Sequence, residues 1–135
     1  MELIYDRLST DDLRGTTQAD YLIALDAHLH VLDGCASIFD EPYFPVVELA
    51  RGLKIWLESP GQGAFELDSM SFEQRGAIAI WKVPEGWVLG SVLEAGVITA
   101  PADRVDLEGG CRRFVARVEG DLAELGLDPL VVLRR

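Results

Sequence analysis

A chain of 135 residues, 49% hydrophobic and 26% charged, has the balance of one folded domain, 1–135, long enough to bury a core without disulfide staples. Its formal net charge of −11 repels a polyanion, which argues against direct nucleic-acid binding and leaves room for a basic protein partner. Two cysteines outside any C-x-x-C make no disulfide framework, the acidic amino terminus has no signal-peptide character, and no apolar run approaches a membrane span, so a cytoplasmic protein without membrane contact is expected.

ELIYDRL (2–8) reads as a first strand and STDDLRGTTQAD (9–20) as a polar loop. YLIALDAHLHVL (21–32) alternates with period two: Ile23, Leu25, Ala27, Leu29 and Val31 form one row, Leu22, Ala24, Asp26, His28 and His30 the other. Asp33-Gly34 offers a tight turn, so CASIF (35–39) can return as a hairpin partner, and DEPYFP (40–45) reads as a Pro-rich loop. In VVELARGLKIWLES (46–59), Val46, Leu49, Ala50, Leu53, Trp56 and Leu57 fall on one helical face, and Ser59-Pro60-Gly61 stops the helix.

AFELDSM (64–70) alternates again, with Phe65 and Leu67 inward and Glu66 and Asp68 outward. GAIAIWKV (76–83) and GWVLGSVLE (86–94) flank Pro84-Glu85-Gly86, which suits a three-residue hairpin loop. VITAPAD (97–103) reads as a short strand or a linker. Over 106–126, Leu107, Cys111, Phe114, Val115, Val118, Leu122 and Leu125 repeat at helical steps, with Asp106 to cap the start, Gly109 and Gly110 loosening the first turn, and Gly126 to end it. The tail DPLVVLRR can add a turn or an edge strand. The order predicts an α+β fold: a mostly antiparallel sheet of about five strands with two helices packed on one face.

D-A-H-L-H (26–30) would put Asp26, His28 and His30 on one face of a strand, a spacing that suits metal ligation. The pentad resembles the D-x-H-x-H opening of amidohydrolases. That family's barrel needs about 250 residues and further histidines, and this chain has only two. The expectation is therefore the solvated face of an ordinary strand, with no metal and no cofactor. A ligand-binding or enzymatic domain with a metal at Asp26, His28 and His30 stands as the alternative.

No G-x-S-x-G, P-loop, G-x-G-x-x-G or H-E-x-x-H occurs, and Gly61-Gln62-Gly63 follows a helix in the wrong order for a dinucleotide loop, so no catalytic residue is expected. Arg112, Arg113 and Arg117 are expected to pair locally with Glu108, Glu119 or Asp121. The candidate partner-binding residues are Asp40, Glu41, Tyr43, Glu66, Asp68, Glu73, Trp81, Glu85 and Trp87, aromatic rings with an acidic rim. Apolar residues on both faces of the 76–83 strand imply a central strand, or a face that meets a partner or a second copy in a homodimer.

The run FPVVELARGLKIWLES followed by FELDSMSFEQRGAIAIWKVPEGWVLGS, about residues 42–93, resembles small bacterial proteins associated with polymorphic-toxin immunity. The shared features are an "ELA…W" helix, a strand ending in "SM" and a "GW…GS" hairpin strand. The resemblance implies a non-enzymatic inhibitor that binds a cognate toxin domain in the cytoplasm and occludes its site. It brings no catalytic residues with it. A basic, nuclease-like toxin would suit the acidic charge, because opposite fields speed encounter.

Overall fold

The alternating residues 27–33 become the middle strand of a three-stranded antiparallel sheet. In the computed structural model, which describes residues 1–59 and 63–135, β1 (Glu2–Tyr5) and β3 (Ala36–Phe44) flank β2 (Ala27–Asp33). Ala27, Leu29 and Val31 are buried on one face, and His28 and His30 look out on the other. The tight turn falls one residue later than Asp33-Gly34: Asp33 pairs with Ala36, so Gly34, at a φ of 65°, and Cys35 form the two-residue turn between β2 and β3.

Residues 21–24 depart from the predicted strand, and 18–20 from the predicted loop. They form α1 (Gln18–Ala24), nucleated by a capping box in which the Thr17 side chain accepts the Asp20 N–H and the Asp20 carboxylate accepts the Thr17 N–H. Ile23, assigned to an inward row by alternation, is half exposed, while Leu22 and Leu25 turn inward at helical spacing. β3 also runs further than expected, through 40–44. Between the pairs Ala27↔Phe44 and Leu29↔Glu41 two β3 residues, Pro42 and Tyr43, oppose the single β2 residue His28, a bulge on an edge strand, where a proline is tolerated.

α2 (Val46–Glu58) buries Val46, Leu49, Ala50, Leu53 and Trp56 as the periodicity requires. Its expected stop at Pro60-Gly61, like Gly61-Gln62 of the G-x-G loop, falls on residues 60–62, outside the described residues. The second sheet is β4 (Phe65–Glu66), β5 (Ala79–Val83) and β6 (Gly86–Gly90), again antiparallel. Its hairpin loop has two residues, Pro84 and Glu85, because Val83 pairs with Gly86. Gly86 takes a φ of 144°, and a Cβ there would lie 2.8 Å from the Ala102 carbonyl oxygen. Residues 98–102 run beside β6 through bridges Gly90↔Ile98 and Trp87↔Ala102, which resolves the strand-or-linker choice at 97–103 in favour of an irregular edge.

α3 (Arg104–Glu124) begins two residues before Asp106, with Asp103 at the cap position, and ends as foreseen, with Gly126 at φ 80° and the Leu127 N–H on the Leu122 carbonyl. Gly110 is buried and admits the Met1 carbonyl, which would lie 2.8 Å from a Cβ. The tail forms one turn, α4 (Pro129–Val132), capped by Asp128. α3 packs on α2 and touches both β1 and β6, so one continuous hydrophobic core joins the two sheets. Tyr5 anchors β1 to α3: its hydroxyl donates to Asp121, its ring meets Phe114 edge-on, and Arg117 lies 3.9 Å from its centroid. The fold is thus mixed α+β, as predicted in class. Among the described residues it has two small sheets in place of one of five strands, and four helices in place of two.

Candidate functional site

The outer face of the first sheet carries a compact group of polar side chains. In the cross-strand register Ile4, His30 and Asp40 lie side by side, and His28 sits one pleat along β2 from His30. The two imidazoles stack in parallel, with centroids 4.4 Å apart and planes 6° apart. His28 Nε2 lies 3.0 Å from Asp40 Oδ1. One ligand atom each from His28, His30 and Asp40 falls within 4.8 Å of the other two. Asp40 therefore takes the third place that D-A-H-L-H had suggested for Asp26. The reason is geometric: Asp26 precedes β2 and bridges to Ser9, at the end of the face, whereas Asp40 comes across from β3.

Asp26 belongs to a neighbouring carboxylate cluster. Its pKa is raised, first by desolvation and then by the negative charges of Asp12, Asp11 and Asp6. Asp6 is held below the usual carboxylate range because it accepts the backbone N–H groups of Arg7 and His28 at 2.7 and 3.0 Å. Asp6, Arg7, Asp26, His28, Pro42 and Tyr43 border a shallow cleft of about 240 Å³. Tyr43 stands over it 81% exposed, and it is the one non-glycine residue among those described with a positive φ, 56°. A bulky residue held in that region costs free energy, and such outliers concentrate where a side chain is aimed at something. Carboxylates, an exposed phenol and imidazoles can bind cations, cationic side chains and hydrogen-bond donors.

The other expected contact residues are dispersed. Asp40, Glu41 and Tyr43 are close on β3, but Glu66 and Asp68 sit on and after β4, Glu73 in the following loop, and Glu85 in the β5–β6 turn. Trp81 and Trp87 face opposite sides of the hairpin. Trp81 covers Gly90 on the outer side, and Trp87 packs toward the core with the Arg104 guanidinium 4.6 Å from its ring. The same guanidinium lies 4.7 Å from Trp56, so Arg104 is held between two indoles. Arg112 and Arg117 pair with Glu108 and Asp121 as expected, whereas Glu119 meets Lys54 of α2.

Residues 1–124 match the model of a domain of unknown function, DUF7878. The chain belongs to this family. The matched span includes every residue of the His28–His30–Asp40 group and of the Asp26 cluster, and leaves out only Leu125 onward. No curated protein and no solved structure matches the chain.

Sequence reasoning missed two features. The Thr17-x-x-Asp20 box was readable as a helix start and would have displaced the strand reading. Glu48 had no such signal: it is nearly buried, and its carboxylate accepts from the Ser69 hydroxyl and, at 3.2 Å, from the Met70 N–H, tying α2 to the 69–70 turn.

Proposed function

We propose that this chain is a cytoplasmic, non-enzymatic binding protein of the immunity type, which captures a basic, nuclease-like toxin domain on the acidic outer face of the first sheet and occludes its site. One observation carries the reading: Asp6, Asp11, Asp12 and Asp26 crowd together beside an exposed Tyr43 held on strained backbone. Desolvation, and after it repulsion from Asp12, Asp11 and Asp6, raises the Asp26 pKa, so ionised Asp26 opposes folding of the isolated chain. A cationic surface docked there would relieve that repulsion, and an exposed phenol beside an acidic patch is the composition of an interface hot spot. The formal charge of −11 speeds the encounter with a basic partner. The dispersal of Glu66, Glu73, Trp81, Glu85 and Trp87 over the second sheet moves the weight of the interface to Asp40, Glu41 and Tyr43.

The test is co-expression with a toxin domain encoded beside this chain, scored by cell survival and by a 1:1 complex on size exclusion. The chain should protect. Asp11→Lys with Asp12→Lys, and separately Tyr43→Ala, should lose protection while the variant still folds. Equal protection and binding by both variants would overturn the reading.

A second reading, a small-ligand binding domain, is favoured by a groove of about 820 Å³ between α2 and β4, lined among others by Arg51, Trp56, Phe65, Asp68 and Arg75. A ligand there would protect Trp56 fluorescence from quenching and leave Tyr43→Ala without effect.

A further inference from the structure

We propose that His28, His30 and Asp40 form an open binding site for one divalent transition-metal ion of the zinc class. The inference is independent of any toxin partner. It rests on the juxtaposition of two imidazoles and one carboxylate from adjacent strands, brought together by strand register. Two histidines at i and i+2 of a strand share a face, and the β2–β3 pairing His30↔Asp40 sets the carboxylate directly across from them. The sequence alone supplied the pair of histidines but named Asp26 as the third donor, a residue the fold places elsewhere.

The distances suit such an ion. Donors about 2.1 Å from a tetrahedral zinc stand about 3.4 Å from one another. Here His28 Nε2 and Asp40 Oδ1 are 3.0 Å apart, and all three donor atoms fall within 4.8 Å. The His28 and Asp40 side chains are 36% and 56% exposed, so the imidazoles can rotate out of their parallel stack and turn their in-plane lone pairs onto one ion without disturbing the core. Among the described residues the ring of His30 makes no hydrogen bond or ion pair and stacks on His28, which leaves a lone pair available. The His28 backbone is fixed by the Asp6 carboxylate, which accepts its N–H.

The donor set decides the class of ion. Calcium and magnesium prefer all-oxygen shells, whereas imidazole with one carboxylate suits zinc, cobalt, nickel or iron(II). Three protein donors on one side of an exposed sheet leave the outward positions to water, the pattern of an open site rather than a closed structural one.

The test uses the full chain, stripped with chelator and titrated calorimetrically with zinc chloride in excess magnesium, then with cobalt chloride followed by visible absorption. One ion per chain is expected, with a cobalt spectrum that zinc abolishes. His30→Ala and Asp40→Asn should each weaken zinc binding about tenfold or more, and Asp26→Asn should leave it within about twofold. The chain has only two histidines, so proton NMR of the wild-type protein gives a readout that needs no variant. Both imidazole signals should shift together on adding less than one equivalent of cobalt. Absence of binding, binding unchanged by His30→Ala or Asp40→Asn, competition by magnesium at equal concentration, or an imidazole that does not shift would each overturn the assignment.

Discussion

Replacing Tyr43 by glycine and, separately, by alanine isolates the strain at the β3 bulge. Both substitutions remove a ring that is 81% exposed, so whatever that ring contributes to folding cancels between them. What remains is backbone. At φ 56° an L-residue with a Cβ is disfavoured by about 1–2 kcal/mol, and glycine is not. Glycine also frees the unfolded chain, at a cost of about 0.5–1 kcal/mol relative to alanine. The difference leaves Tyr43→Gly more stable than Tyr43→Ala by up to about 1.5 kcal/mol. At an ordinary extended position the same pair would rank in the opposite order. Urea unfolding of the two variants, with equal slopes, reads the difference directly. If the alanine variant is the more stable, Tyr43 is not held in a strained conformation, and the argument that its ring is deliberately aimed loses its foundation.

Gly86→Ala should lower stability by about 2–4 kcal/mol in a thermal melt, since its Cβ would meet the Ala102 carbonyl at 2.8 Å and its φ is 144°. Asp26→Asn should stabilise the fold at neutral pH. Because the folded-state pKa of Asp26 lies above the ordinary 3.8, the folded form binds the proton more tightly, so its ionisation penalty is complete above the raised value and disappears below the unfolded one; melts of wild type and variant should converge on acidification. A thiol reagent should modify Cys35 in the native protein and leave Cys111 untouched until unfolding, since Cys35 is exposed while burial pushes the Cys111 thiol up to about 12.

Local periodicity was legible, and non-local pairing was not. The rows of Leu29 and Val31, the α2 stripe through Leu53 and Trp56, and the α3 stripe through Phe114 and Leu122 are all buried as their spacing required. Residues 21–24 misled because an alternating tetrad fits a strand and one short helical turn equally well, and the capping box at Thr17 outweighed the alternation. β3 was cut short because Pro42 reads as a loop residue, yet an edge strand tolerates it at a bulge. The split into two sheets depends on which strands pair across long separations, which hydrophobic pattern does not encode. The candidate site shows the same division. His28 and His30 could be placed on one face from their spacing, but the arrival of Asp40 rather than Asp26 follows from a register with two shifts between β2 and β3.

The bulge at Pro42-Tyr43 has a consequence for how the molecule behaves in company. β3 is a nine-residue border of its sheet, long enough to act as a template on which an identical chain could stack, edge to edge, without end. A missing amide hydrogen at Pro42 and a left-handed kink at Tyr43 interrupt that ladder before its last residue, Phe44, and the acidic fringe at Asp40 and Glu41 repels a second copy presenting the same charges. The irregularity that aims a ring outward therefore also guards the border against fibre growth.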